Sequence, residues 1–287
     1  MCSGPFVLSA WKHDEYIELK KNPNYWDAEN VKLERVVMML SADAPIVYSA
    51  YVAGNLDLIG SIPQDEMIPM RETPEFHTFD RVGTWYITFN VKSHLFDGKT
   101  VEQAAAMRRA LALLIDRDYI VETVGQCGQK PANCFIPYSM SDGNGGFFKA
   151  SDPDYIYPVV STLESGERAE GYFDLDVDVP GAIALLKQAG FEFEGDRLSP
   201  ATPLSFELLI NTTDVQGSLA QCVQQDLAAV GIDMTIRTCD FKETVTRQLS
   251  GQYDVCITGW VADFNDPINM LELYASACGN NIAFLGR

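Results

Sequence analysis

The stretch from Leu204 to Pro267 constrains the fold of this chain more than any other, because its hydrophobic period switches repeatedly between two residues and about 3.6. Leu204 to Ile210 is apolar and strand-like. Val215 to Val230 has helical spacing and stops at Gly231, the residue type favoured just past a helix end, and Ile232 to Thr238 then alternates. A second pair follows at once. Asp240 precedes a short helix with Phe241, Val245 and Leu249 on one face, Glu243 stands three residues on as a capping-box partner, and Gly251 is the stop before a strand from Tyr253. Consecutive β-α-β units with short connections give parallel strands joined by right-handed crossovers, so the fold class is α/β. Ligands of such sheets bind outside the carboxyl ends of the strands. Three ends are expected here, at Asn211 to Asp214, Cys239 to Phe241 and Trp260 to Asp266. The last lies in QYDVCITGWVADFNDP, Gln252 to Pro267, which reads as a strand breaking at Gly259 into a loop with Trp260, Val261, Asp263, Phe264, Asn265 and Asp266. Amides, hydroxyls, carboxylates and aromatics together suit a polar ligand with a positive end and some apolar surface.

Composition narrows the function. A length of 287 residues suggests two domains or one and part of another, and 47% hydrophobic residues allow a sizeable core. A net charge of −19 argues against nucleic acid, whose phosphates need a basic face, and is otherwise a solvated acidic surface. No apolar run reaches the length of a membrane span. Met1-Cys2-Ser3-Gly4-Pro5 runs straight into a strand-like segment without a secretory leader and reads as a cut inside a longer protein. The seven cysteines fit neither metal spacing nor a small disulfide scaffold. Cys127 and Cys134 close a short loop and are a candidate disulfide for a protein working outside the cytoplasm, while Cys222, Cys239 and Cys256 read as small buried hydrophobes. Asp174, Asp176 and Asp178 precede a helix start, where acid is favoured by the dipole. Asp142, Asn144 and Gly146 begin like a calcium loop, but Pro153 occupies the place of its bidentate glutamate. His13, His77 and His94 are scattered, and no phosphate-binding or hydrolase motif occurs, so no metal, cofactor or catalysis is expected. A hydrolase using Asp263 and Asp266 as a carboxylate pair is the remote rival.

Ahead of that stretch, Phe6 to Lys20 reads as two strands around a turn at Lys12 to Glu15, and NPNYWD, Asn22 to Asp27, as a turn-rich aromatic segment. Val36 to Leu40 reads as a buried strand, Ala44 to Ala53 as a helix ending at Gly54, and Leu56 to Ile59 as another strand. GPFVLSAWKHDEYIELKKNPNYWD followed by a strand, a helix with AGNLDL and a loop resembles the extracytoplasmic solute-binding proteins of peptide ABC transporters, family 5. WYITFN at Trp85 to Asn90, Phe96-Asp97-Gly98 and VEQAAAMRRALALLIDR at Val101 to Arg117 continue the resemblance. Thr100 and Gln103 are spaced as a capping box, and Val101, Ala104, Met107, Leu111, Leu114 and Ile115 form the expected buried face. Lys130-Pro131-Ala132, Ile136-Pro137 and the helix after Asp178-Val179-Pro180, running to Gly190, complete the order of motifs.

The resemblance implies type II periplasmic-binding-protein-like α/β lobes, here a fragment of a larger two-lobe receptor of the cluster C kind. Residues 1–82 would be part of the first lobe and 83–287 most of the other. It implies a monomer that captures oligopeptides or dipeptides in a periplasm, or lipid-anchored at the outer face of the cell membrane, for delivery to permease subunits. Asp263, in a motif like GW-x-x-D, would fix the peptide's amino terminus. Trp260 and Val261 would flank the ligand, or Trp260 would plug the space under the loop. Phe241 would line a pocket and Asn211, in NTTD, would bond the peptide backbone, although a helix cap at Thr213 or Asp214 explains that turn equally well. Arg247 lies near a position that meets peptide carboxylates, offset by one residue, with a surface charge as the other reading. Relatives that bind nickel chelates, haem, glutathione or oligosaccharides share the motifs.

Overall fold

The computed structural model describes residues 3–150 and 176–286. The chain divides into two compact units, Met1–Glu75 and Phe76–Arg287.

The first unit is a three-stranded antiparallel meander with helices after it. β1 (Phe6–Lys12) and β2 (Tyr16–Lys21) pair as a hairpin whose turn puts Asp14 at φ 63° and is closed by Glu15 N donating to Lys12 O at 3.1 Å. Asn22 is the only buried residue of the NPNYWD segment. Its Nδ2 donates to Gly4 O at 2.9 Å and its Oδ1 accepts from Asn24 N at 3.1 Å, which folds the turn back on the start of β1. β3 (Arg35–Met39) pairs with β2, and Asp43 caps α1 (Ala44–Val52), which ends at Gly54 with φ 75°. Two expectations fail in this unit. Val36 to Leu40 forms a strand, but an exposed one, because among residues 3–75 only Asn22 and Pro63 are buried and no apolar interior exists for it to face. Leu56 to Ile59 is irregular, since an extended segment becomes a strand only when a neighbour completes its ladder, and no described strand does. α2 (Met67–Arg71) follows.

The second unit carries the core. β4 (Gly83–Phe89) leads to α3 (Val101–Leu113), whose capping box forms as expected: Thr100 Oγ1 accepts from Gln103 N at 3.2 Å and Gln103 Oε1 accepts from Thr100 N at 3.0 Å. The helix stops short of Arg117, because Asp116 caps a separate helix α4 (Arg117–Ile120) by accepting from Tyr119 N at 2.9 Å. Val101, expected to be buried, is 80% exposed in the first turn. Asp178 caps α5 (Val179–Gln188), accepting from Gly181 N at 2.8 Å, and Gly190 at φ 91° ends it. Asp174 and Pro153 lie outside the described residues. The short strands β5 (Phe193–Glu194) and β6 (Arg197–Leu198) pair with each other.

The two expected β-α-β units then appear: β7 (Ser205–Asn211), α6 (Asp214–Ala229), β8 (Asp233–Cys239), α7 (Phe241–Ser250) and β9 (Val255–Val261). The sheet order is β4-β9-β7-β8, with β7 parallel to both β8 and β9, and β4 antiparallel to β9. α6 therefore carries the chain one strand outward and α7 carries it back across β7. Two right-handed crossovers in opposite directions place their helices on opposite faces, and packing agrees. Leu208, Ile210, Val255 and Ile257 meet α3, α5 and α6 on one face, while Leu209, Cys239, Tyr253 and Cys256 gather on the other, where Gln248 of α7 donates to Cys256 Sγ at 3.5 Å. Burial on both faces is why β7 reads as a continuous apolar run. Cys239 and Cys256 are buried, as expected, and desolvation pushes the Cys256 thiol up to about 12, which keeps it neutral. Cys222 is only half-buried, and Cys127 and Cys134 keep separate thiols. α8 (Ile268–Leu271) follows the last strand.

Candidate functional site

The carboxyl ends of the parallel strands come together at Asn211, Cys239 and Val261. They are not level. Leu209 lies beside Cys256, so carrying the register forward two residues sets Asn211, the last residue of β7, beside Thr258. Gly259, Trp260 and Val261 thus run past the end of β7 with that edge open, held on their other side by Trp85, Thr84 and Gly83 of β4.

Gly259 is therefore inside a strand and not a breaker, which corrects the sequence reading. The glycine serves a close approach: a Cβ there would stand 2.7 Å from Cδ1 and Nε1 of the Trp85 indole, which lies over it. Replacing Gly259 with alanine is expected to push that ring, already 53% exposed, further into solvent and to cost about 1 kcal/mol, the low end for overpacking. The urea midpoint and the tryptophan emission maximum check this.

Trp260 points to the opposite face, where its ring packs with Ile136, Met140 and Met270 and its Nε1 donates to Asn269 Oδ1 at 3.0 Å. It fills the space under the loop. Val261 closes the strand opposite Gly83, with its side chain exposed. In the loop, the acids separate by role. Asp266 Oδ1 accepts from Ile268 N at 2.9 Å, closing a turn around Pro267 just ahead of α8. Asn265 Oδ1 accepts from Ser141 N at 2.8 Å. Asp263 is exposed and is held only through its backbone N, which donates to Asn269 Oδ1 at 2.9 Å, leaving the carboxylate without a hydrogen bond or ion pair among the described residues.

Asn211 ends β7, its N donating to Gln216 Oε1 at 2.9 Å. Thr213 caps α6, accepting from Gln216 N at 3.3 Å, so capping explains the NTTD turn, while the Oδ1 of Asn211 is buried without a partner among the described residues. Phe241 opens α7 at the end of β8 and is 71% exposed. Asp240 caps that helix, but Glu243 does not complete a capping box, because its carboxylate takes Arg247 Nε at 2.8 Å one turn on. Arg247 itself does not join the others. α7 runs away from the carboxyl ends, and Arg247 lines a polar recess with Glu207, Arg237 and Asp254, toward the side of the sheet where β7 and β9 begin. Asp142 Oδ1 accepts from Asn144 N at 2.7 Å and Gly146 N at 2.9 Å, so the supposed calcium loop is a turn closed by its own backbone, which also holds the Asp142 carboxyl below its ordinary range.

Sequence reasoning missed two residues of this site. Trp85 reaches Gly259 through a pairing far apart in the chain, with no local signal. Asn269, 1% exposed, lies just beyond the stretch that ends at Pro267, with no local signal to single it out.

The sequence matches the profile described as bacterial extracellular solute-binding proteins, family 5 Middle, over residues 1–281. The chain belongs to this family. Among family 5 relatives, the oligopeptide-binding protein of Bacillus subtilis is 29% identical over 287 residues, covering 97% of this chain and 46% of its own. The solved structure of the Escherichia coli murein tripeptide binding protein superposes with a TM-score of 0.76 at 24% identity, covering 98% of this chain and 50% of that one. A Haemophilus influenzae oligopeptide-binding protein solved with the peptide RPPGFSPFR gives 0.74 at 23% identity, over 99% and 50%. This family 5 chain thus spans about half the length of the relatives it matches, and their folds are the mixed α/β binding-protein lobes expected from the resemblance.

Proposed function

We propose that this chain is one part of a receptor that captures oligopeptides or dipeptides outside the cytoplasm and hands them to the permease of an ABC importer. The observation that carries the reading is the open edge of β9 at Gly259 to Val261, with the unpaired Asp263 carboxylate two residues beyond it. An extended peptide can add to such an edge through main-chain hydrogen bonds, which are indifferent to sequence. A free carboxylate beside the end of that edge is the natural partner for the peptide's ammonium. Relatives named for oligopeptide, dipeptide and murein peptide binding support the same ligand class. In this reading the full-length receptor holds its peptide by hinge closure of its lobes. Phe241, Val261 and the Oδ1 of Asn211 would face ligand side chains and backbone through hydrated pockets, bridging waters making many sequences acceptable at little cost. The receptor acts as a monomer, does no chemistry on its ligand, and meets the membrane through its permease or a lipid anchor.

Calorimetry on the receptor at full length, with free and N-acetylated peptides two to six residues long, tests this. Micromolar or tighter binding that fails on acetylation is expected. No heat from any peptide would move the ligand to another solute.

A further inference from the structure

We infer that Asn269 is the positioning residue that aims Asp263 at the ligand's amino terminus; this rests on the reading of Asp263 given above. Asn269 is 1% exposed and sits where the strand, the loop and the last helix meet. Its Oδ1 accepts from two groups at once, Trp260 Nε1 at 3.0 Å and Asp263 N at 2.9 Å. Its Nδ2 donates to Glu272 Oε1 at 3.2 Å. Its own backbone N donates to Asp266 O at 3.0 Å, which tightens the loop around it.

This arrangement fits the carboxamide and little else. The two donors need an acceptor, and Glu272 needs a donor. Leucine has the size but offers neither, and aspartate would set a second carboxylate against Glu272. The Asp263 side chain, by contrast, is tied to nothing among the described residues. Where it starts from is therefore set by its backbone, and among the described residues the one side chain that fixes that backbone is Asn269. A charge whose backbone is already fixed has only its side-chain rotamer left to order when it meets an ammonium, which is how preorganisation adds affinity. The same oxygen ties the loop to Trp260, whose ring is locked between Ile136, Met140 and Met270, so the position of Asp263 refers back to the core.

The test compares full-length receptor variants by calorimetry, using the tripeptide Ala-Ala-Ala with a free and with an acetylated amino terminus. Asp263→Ala is the reference and should abolish the preference for the free amine. Asn269→Leu is expected to lower affinity for the free peptide about tenfold, the loss of roughly one charge-directing hydrogen bond, and to leave the acetylated peptide within about twofold. The double variant Asn269→Asp with Glu272→Gln restores an acceptor toward the loop and reverses the Asn269–Glu272 bond, and should recover the preference. Equal losses for both peptides in Asn269→Leu would reduce Asn269 to a folding role and overturn the inference, as would an unchanged preference. If Asn269→Leu does not fold, an absent preference in the folded double variant overturns it equally. If Asp263→Ala leaves the preference intact, the reading of Asp263 fails, whatever Asn269 does.

Discussion

Asp263→Asn should weaken binding of a peptide with a free amino terminus by about 2 to 5 kcal/mol, roughly thirtyfold to several thousandfold, and leave its N-acetylated counterpart nearly unchanged. The size follows from what each partner loses. In the closed receptor the ammonium would leave water to meet this carboxylate, and asparagine returns a dipole for a charge, so the ammonium is left desolvated and underpaired. Stability should not follow affinity: the Asp263 carboxylate makes no bond among the described residues, where its backbone N is what ties it to Asn269. Calorimetric titration together with thermal melts separates the two effects. A variant that loses affinity while keeping its melting temperature fits the proposal. Equal losses for free and acetylated peptide would mean that the charge serves the loop instead of the ligand.

The second large effect is expected in the core. Leu208 is 0% exposed and lies in the strand bonded on both sides, against α3, α5 and α6. Leu208→Ala removes buried methylene groups and opens a cavity that a central strand cannot collapse, so the cost is expected at about 3 to 5 kcal/mol. Urea unfolding followed by circular dichroism gives the value, and a cost near 1 kcal/mol would mean that the sheet and helices close over the gap. Because β7 fixes how far β9 protrudes, the same variant should also weaken peptide binding in conditions where it stays folded.

What could be seen in the sequence was what is written locally. The change of period from Leu204 to Val261 predicted the order of strands and helices, the caps at Thr100 and Asp240 and the stop at Gly251 were found where spacing placed them, and the helix from Asp178 to Gly190 where the family resemblance put it. Long-range pairing was not legible. Gly259 looked like a break because nothing near it announces Trp85, more than 170 residues earlier in the chain. Arg247 was attached to the site by its distance along the chain, while a helix running back along the sheet carries it to the far end. Asp263 was singled out through the family's GW-x-x-D motif, and its role is the proposal made above, whereas Asn269 carried no such mark, since its three partners are assembled only by folding. Val36 to Leu40 misled for another reason: apolar residues indicate that something covers them, not which part of the chain does.

That last point changes how natural variation in residues 3–75 is to be understood. A meander in which Leu8, Trp11, Val37 and Met38 are exposed and only Asn22 and Pro63 are buried has few positions whose loss would unfold it from within. In a mutational scan of this chain by itself, polar replacements at those four apolar positions would raise solubility and pass as neutral. The same replacements scored for peptide uptake in the full-length receptor would instead map whatever surface those side chains meet there. The difference between the two scans, residue by residue, would trace an interface without any need to crystallise it.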